Sequence, residues 1–332
     1  MKRTLILTLV AAIAAGSAAA APIVIKIGSI APENTPWGEE LNKLAGEWSR
    51  ISKGQVKMVV YHNGTAGDEP NALRQLKLGQ LQGCVFTSFG LAGIAPEFFS
   101  LSAPFLIANE EELDYIVAKN RGYMEGLLAK QGIRTLAWSK AGWVRFFSKS
   151  QVRVPDDMKK LKLATEPGAT TLLQAFKELG YHMVPVALPD TLVALNSGMI
   201  EAVYTSPLTV GGMQLFGIAK YMMSLRLSPF LGAIVISEKA WKRIPAELQP
   251  LLAEATHRTE RILDERIGAL EDEAIATMKE YGLVVTETTP EEKALWLRDV
   301  EISMPKAVGV SFNKEMYDLV SEQLKAYRSG KK

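Results

Sequence analysis

The alternation of apolar and polar positions predicts strands and helices in turn along most of the chain. The pattern is clearest in the middle, where a segment of period two is followed by apolar residues at helical spacing. The order there is strand, helix, strand, helix, strand, at residues 161–165, 170–179, 183–186, 189–198 and 200–204. Each strand leads into a turn or helix start, and open α/β sheets bind ligands at such strand ends.

The N-terminal part repeats this alternation. Predicted strands lie at 23–28, 56–61 and 83–87, with helices at 37–50 and 68–79. Successive strand–helix units imply a parallel sheet with helices on both faces.

The remaining segments predict helices at 109–131, two strands at 133–138 and 143–148, and one very long helix at 245–282. At 1.5 Å per residue that helix would span roughly 50 Å, enough to brace two lobes. The closing segments predict a strand at 283–285 and helices at 290–298 and 312–328.

These elements predict an α/β protein whose two lobes are joined by crossing strands around a cleft. Lobe I is expected at 22–140 with part of 220–332, and lobe II at 141–235. The long helix at 245–282 spans both lobes, and the segment 283–332 packs on them as a C-terminal strand and helices.

Residues 1–21 match a secretory signal peptide, since a basic start is followed by a short apolar run and small residues. The alternative, an N-terminal membrane anchor, needs about 20 apolar residues, and the run is shorter. Export from the cytoplasm is therefore expected, with cleavage after Ala20 or Ala21.

Charge and cysteine content narrow the range of partners. The chain has 38 basic and 36 acidic residues, and loss of Lys2 and Arg3 with the signal leaves it formally neutral. Nucleic acid and anionic membranes both require a basic excess, so neither is expected as a partner. The single cysteine, Cys84, lies in an apolar run and is expected to be a buried thiol rather than a reactive one.

Enzymatic chemistry finds little support. His62, His182 and His257 are scattered without a second ligand at metal spacing, and nucleophile-elbow, zinc-protease and phosphate-binding motifs are absent from the sequence. The paired acids Asp68-Glu69 and Asp156-Asp157 stand where helix capping explains them. No metal or cofactor is predicted, and His62, the histidine nearest the predicted cleft, is expected on the surface.

Short segments spread over nearly the whole mature chain resemble the DctP-type periplasmic solute-binding proteins of TRAP (tripartite ATP-independent periplasmic) transporters. Their order and spacing carry the resemblance, at 27–32, 36–37, 67–69, 78–81, 104–106, 154–162, 195–198, 200–201 and 239–241. The resemblance implies a clamshell of two lobes that captures an organic acid and delivers it to a membrane permease pair driven by an ion gradient.

The family places a carboxylate-binding arginine where this chain has Ala164, so the usual two-pronged clamp is absent. A second family arginine aligns with Arg145. The segment 201–208 is more similar to a divergent branch that is associated with apolar ligands and with a tetratricopeptide-repeat partner lipoprotein.

Apolar contact can replace the lost arginine. Burial of about 300 Å² of apolar ligand surface contributes roughly 7 kcal/mol gross, against about 1.5–3 kcal/mol for an arginine–carboxylate bond. Any one aromatic or aliphatic candidate is otherwise explained as core. The candidate ligand contacts are Trp37, Glu69, Phe89, Trp143, Arg145, Phe146, Ala164, Thr165, Tyr204, Ser206, Leu208 and Phe230.

Two cations could compensate for the missing arginine. Arg145 either meets the ligand or pairs with an acid such as Glu69 or Glu166. Lys162 has the strand parity of Ala164, although it stands at the solvated start of its strand.

Three functions follow from these features. The chain is expected to be a periplasmic binding protein for a monocarboxylate or largely apolar metabolite. The alternatives are a ligand-sensing or scaffold protein that works with a partner lipoprotein, and a periplasmic hydrolase that uses the same cleft with His62.

Overall fold

The computed structural model describes residues 21–167, 173, 176, 177 and 180–330. The predicted signal peptide, apart from Ala21, and most of the predicted helix 170–179 lie outside the described residues.

Ten β-strands lie in the described part of the chain. They are β1 (Ile23–Ser29), β2 (Val56–Tyr61), β3 (Gly83–Thr87), β4 (Ile133–Ser148), β5 (Lys162–Thr165), β6 (His182–Pro185), β7 (Ala202–Thr205), β8 (Tyr221–Met223), β9 (Ser228–Ser237) and β10 (Val284–Thr286).

The same residues contain eleven α-helices. They are α1 (Pro36–Ile51), α2 (Glu69–Leu78), α3 (Ser88–Ala92), α4 (Glu110–Lys130), α5 (Pro155–Lys159), α6 (Thr191–Ser197), α7 (Pro207–Gly212), α8 (Glu238–Trp241), α9 (Gln249–Glu280), α10 (Pro290–Ala307) and α11 (Lys314–Gly330). Short 3-10 helices lie at Pro96–Ser102, Leu188–Asp190 and Leu215–Gly217.

The strands divide into two halves that meet at β4. The strand order is β2-β1-β3-β9-β4 in the first half and β4-β7-β5-β6 in the second, where β8 joins β4 to β10. Pairs β1–β2, β1–β3, β5–β6 and β5–β7 are parallel, while β9 runs antiparallel to both β3 and β4. The α/β fold with two lobes and crossing strands is thus confirmed.

Strand β4 corrects one prediction. The two strands expected at 133–138 and 143–148 are a single strand of 16 residues, interrupted by register shifts between Thr135 and Ala137 and between Lys140 and Trp143. Gly142, at φ +82°, lies within the second shift, and a backbone of that conformation favours glycine. The irregularity allows one strand to pair with β9 over most of its length and with β7 at its end.

Two further differences concern elements that carry weak sequence signals. Strands β8 and β9 were not predicted, although β9 contains the β-branched run Ile234-Val-Ile236. Helix α10 continues past the expected end at 298 to Ala307, with Pro305 in its last turn.

The long helix α9 packs against both halves. Leu252 and Ala255 belong to the core around β1 and α1, whereas Met278 belongs to the core around β7 and α6. Thr256 accepts a hydrogen bond from the Trp48 indole at 3.2 Å. The predicted bracing helix is therefore present and is 32 residues long.

Cys84 lies in β3 with no exposed surface. Burial raises the pKa of its thiol to about 12. The expectation that the Cys84 thiol is buried is confirmed.

Candidate functional site

A cavity opens between the two halves, where their strands end. It has a volume of about 180 Å³ and is named the main cleft. The first half contributes residues after β1 and at the β3–α3 junction, and the second half contributes the ends of β5, β6 and β7. This position agrees with the rule that α/β sheets bind ligands at strand ends.

Six of the predicted contact residues line the main cleft. Glu69 and Phe89 belong to the first half, and Phe230 lies on the crossing strand β9. Ala164, Thr165 and Tyr204 belong to the second half. In the chain these six residues are up to 161 positions apart.

Three other candidates line a smaller hollow, the side pocket, of about 70 Å³. These are Trp37, Ser206 and Leu208, and the side pocket shares Thr87 and Phe230 with the main cleft. The Trp37 indole N–H is buried and has no hydrogen-bond partner within the described residues. A buried donor of this kind usually has a partner, so it marks a place where a ligand acceptor or a water would fit.

A third hollow, the rear pocket, extends behind Tyr204 and has a volume of about 50 Å³. It shares Pro104, Phe176 and Phe312 with the main cleft, and Phe146, another candidate, lies on its wall. Its surroundings are almost entirely aromatic and aliphatic, which makes it suited to an apolar part of a ligand.

Trp143 and Arg145 line none of these three hollows in the described structure. Trp143 is buried, donates its indole N–H to Glu110, and has Arg226 above its ring at 5.6 Å. Its backbone N–H donates to Glu271 at 2.8 Å.

Arg145 forms a buried ion pair with Glu271 of α9. Its Nη2 lies 3.0 Å from Glu271 Oε1, its Nε lies 3.3 Å from the same oxygen, and its Nη1 donates to the Ser224 carbonyl. The acids named from the sequence, Glu69 and Glu166, are therefore not its partners here. The true partner is 126 residues away on a different element, a separation that local sequence cannot indicate.

Lys162 also lies away from the cleft. Its side chain is exposed and its Nζ donates to the Gly198 carbonyl at 3.2 Å. Among the described residues, no lysine, arginine or histidine lines the main cleft.

Glu69 is the first residue of α2 and reaches across to the β3–α3 junction. Its Oε1 accepts the Thr87 backbone N–H at 2.5 Å, and its Oε2 accepts the Thr87 hydroxyl at 2.8 Å. Gly90 stands so close that a Cβ there would lie 2.6 Å from Oε1. Burial nevertheless dominates and raises the pKa of Glu69 to about 7.

Glu166 follows β5 directly and lines the main cleft, but it was not predicted as a ligand contact. Burial, together with the nearby carboxyl groups of Glu69 and Asp68, raises its pKa to about 8. No hydrogen bond or ion pair joins its carboxyl to another described residue. Its position at the end of a parallel strand was the signal that could have identified it.

Hydroxyl groups and rings complete the wall. The Tyr204 hydroxyl is 2.7 Å from Ser228 Oγ, and burial raises the Tyr204 pKa to about 12. Aromatic side chains surround the cavity from both halves, namely Phe89, Phe99, Phe176, Tyr204, Phe230 and Phe312.

His62 is buried rather than at the surface as expected. Its Nε2 is 2.9 Å from Asn42 Oδ1, and burial lowers its pKa. It does not line the main cleft of the described structure.

The described residues contain no group of three or more histidine, cysteine or acidic side chains arranged to hold a metal ion. Within the same residues, no helix combines the length and the apolar character needed to cross a membrane.

A cleft between two α/β halves, lined by strand ends and many apolar side chains, defines a protein that binds small molecules. The family model for bacterial extracellular solute-binding proteins, family 7 (DctP), matches residues 27–307. The chain belongs to this family.

Relatives of known name extend the comparison. The chain is 23% identical over 229 residues to a solute-binding protein of Chromohalobacter salexigens, covering 68% of each chain. Its structure is similar to that of the sugar acid binding protein DctPAm of Advenella mimigardefordensis in complex with galactonate, with a TM-score of 0.84, 19% identity, and coverage of 92% of this chain and 98% of that one.

A TRAP periplasmic solute-binding protein of Sulfurospirillum deleyianum, solved with bound succinate, is similar with a TM-score of 0.82 and 20% identity. The match covers 90% of this chain and 97% of that chain. At these identities the likeness concerns the fold.

Proposed function

We propose that this chain is the extracytoplasmic solute-binding subunit of a TRAP-type transporter and that its ligand is a largely apolar small molecule. The ligand occupies the main cleft and is delivered to the membrane permease subunits. Family membership and the position of the cleft between two α/β halves support this function.

The observation that carries the ligand class is the wall of the main cleft. It consists mostly of aromatic and aliphatic side chains, and it includes Ala164, the position at which the family resemblance implies an arginine. A small dicarboxylate would have to give up its hydration without a cation from the described wall, which is costly. An apolar body instead gains about 25 cal/mol for each Å² that leaves water.

The size of the hollow suits a compact body. An engineered apolar cavity of roughly 150 Å³ admits benzene, so a main cleft of about 180 Å³ accommodates an aromatic or short aliphatic group. The rear pocket offers additional apolar space to a longer ligand.

Mass spectrometry of the protein purified after export provides the direct test. Denaturation should release a bound small molecule with a mainly hydrocarbon framework. Release of a dicarboxylate or sugar acid would contradict the proposed ligand class. Absence of any released molecule, together with no binding from a panel of apolar metabolites, would contradict the binding function.

The location and partners belong to the same proposal. Export as a signal-peptide precursor places the mature chain in the periplasm, where it meets the permease and, as in the divergent branch, a tetratricopeptide-repeat lipoprotein. Affinity capture with the tagged chain from solubilised membranes should recover permease subunits. Recovery of the lipoprotein alone would favour the scaffold alternative.

A further inference from the structure

The ionisable side chains of the main cleft are unusual for a site that receives an organic acid. Glu69 and Glu166 line it, and the described wall provides no lysine, arginine or histidine. An anionic ligand would meet no basic side chain in the described wall, and each cleft carboxyl group that ionises would repel it.

The aromatic side chains of the same wall point to the opposite charge. Six rings from both halves line the cleft, and the faces of such rings attract cations, with a larger gain where water is excluded. Carboxyl groups combined with several rings form a surface that recognises organic ammonium ions.

The two carboxyl groups differ in how many of their oxygens remain available to accept hydrogen bonds from a ligand. Both oxygens of Glu69 already accept hydrogen bonds, from the Thr87 backbone N–H and the Thr87 hydroxyl. Glu69 can therefore attract a cation by its charge when ionised, but neither oxygen is free of a protein partner. Glu166 has no hydrogen bond or ion pair with other described residues, so both of its oxygens can accept hydrogen bonds from a ligand.

A second observation concerns the adjoining side pocket, which offers an unused hydrogen-bond donor. The Trp37 indole N–H, in a side chain only 6% exposed, has no hydrogen-bond partner in the described structure and lines the adjoining side pocket.

We propose that the ligand carries a protonated amine on its apolar body and that Glu166 binds this amine, with Glu69 and the aromatic rings adding to the attraction. This inference rests on the proposed function, because it assigns the polar end of the ligand in the same cleft. The nearby charged groups are Asp68 and Glu69, both acidic and both on the α2 side.

Proton release gives the inference an independent readout. The free cleft holds Glu166 with a pKa of about 8, so its carboxyl is mostly protonated at pH 7. A bound ammonium favours the ionised carboxyl, and binding therefore releases a proton.

The experiment compares three probes that share one apolar body: 3-phenylpropylamine, 3-phenylpropan-1-ol and 3-phenylpropanoate. Calorimetric titration at pH 7, in two buffers of different ionisation enthalpy, measures affinity and proton release together. We expect the amine to bind at least about tenfold tighter than the propanoate and to release a proton.

The Glu166→Gln variant should weaken amine binding by about tenfold and abolish proton release, while binding of the alcohol stays within about twofold. Glu301→Gln makes the same chemical change at an exposed position outside the cleft and should leave all three affinities unchanged. The comparison of the three probes uses the unmodified chain. It therefore tests the inference even if Glu166→Gln does not fold.

Equal or tighter binding of the propanoate, or no binding of the amine, would overturn the inference. An anionic or neutral apolar ligand released in mass spectrometry would also overturn it and leave the proposed function intact. Only a chain that carries and binds no small molecule would remove both.

Discussion

Among single residues, Ala164 matters most for the proposed ligand class. The residue lines the main cleft at the end region of β5, where an arginine would project a guanidinium into the cavity. Its methyl group leaves that space open to an apolar ligand, and it leaves the two cleft carboxyl groups without a neighbouring cation among the described residues.

The Ala164→Arg variant should exchange one ligand class for another. The guanidinium would occupy part of the cavity and attract anions, so binding of the released native ligand should weaken by tenfold or more while small carboxylates gain affinity. Fluorescence titration with both classes measures the change. The control variant Ala129→Arg places the same side chain on an exposed face of α4. If Ala164→Arg binds the two ligand classes with unchanged relative affinity, Ala164 does not contact the ligand.

The cleft carboxyl groups also predict how stability depends on pH. Burial raises the pKa of Glu69 to about 7 and of Glu166 to about 8, above the ordinary value of 4.5 that applies in the unfolded chain. Between those values the folded chain binds more protons than the unfolded chain, so these groups make the free energy of unfolding decrease as pH rises from about 4.5 to 8.

Thermal unfolding at pH 5 and pH 8 tests this dependence by comparing variants. The Glu166→Gln variant has no titratable carboxyl group at this position. Its melting temperature should therefore fall less between pH 5 and pH 8 than that of the unmodified chain. Glu301→Gln should retain the full loss. Equal losses in all three proteins would show that the Glu166 carboxyl titrates normally.

At this scale the sequence was informative for apolar residues and less so for charged ones. Aromatic residues such as Phe89 and Tyr204 could be placed in the cleft because strand ends converge there. The position of Arg145 could not be predicted, because it depends on the ion pair with Glu271, an acid far away in the sequence. The sequence suggested Glu166 only as a partner for Arg145, because its position in the cleft wall becomes visible only in the folded structure.

Among the elements, β4 has the largest influence on the arrangement of the site. It pairs with β9 in the first half and with β7 in the second, and Val144 near the change of partner lines the main cleft. Period-two alternation predicted both ends of this strand but not its continuity, because the bulge at Gly142 interrupts the pattern.

Gly142 should therefore tolerate substitution poorly. A Cβ at this position would overlap the Glu271 carboxylate, and the positive φ disfavours other residues. Gly142→Ala is expected to destabilise the fold by about 2 kcal/mol or more, measured by urea unfolding.

Gly268→Ala provides the matched control. Nothing lies within 4 Å of a Cβ at this position in α9, so alanine should stabilise the helix by about 0.5–1 kcal/mol. Destabilisation of similar size in both variants would mean that the bulge has no special requirement for glycine.

For the whole molecule, α9 packs against both halves, and a buried ion pair joins it to the crossing strand β4. The Glu271 side chain is buried in α9 and binds both Arg145 and the Trp143 backbone of the crossing strand. The two-lobed fold was predictable from repeated strand–helix units, and the long helix from its length. The ion pair that joins them was not, since it depends on the final packing.

Removal of the acid tests this connection. Glu271→Ala leaves the Arg145 guanidinium buried without its partner, and we expect a loss of about 3–5 kcal/mol in the free energy of urea unfolding. The double variant Arg145→Met, Glu271→Leu should recover much of that loss.

The exposed pair of Lys314 and Asp318 is the control, and Asp318→Ala should leave the unfolding midpoint unchanged. A small effect of Glu271→Ala would indicate that packing of α9, rather than its charge, holds the halves together.

The buried Cys84 has a practical consequence. It is the sole cysteine in the chain and has no exposed surface, so it should react slowly with thiol reagents. A cysteine introduced at an exposed position can therefore be labelled selectively. Dyes attached to cysteines placed at Leu78 and Val193, which are 68% and 70% exposed on opposite halves, would follow the distance across the cleft in single molecules as the ligand enters.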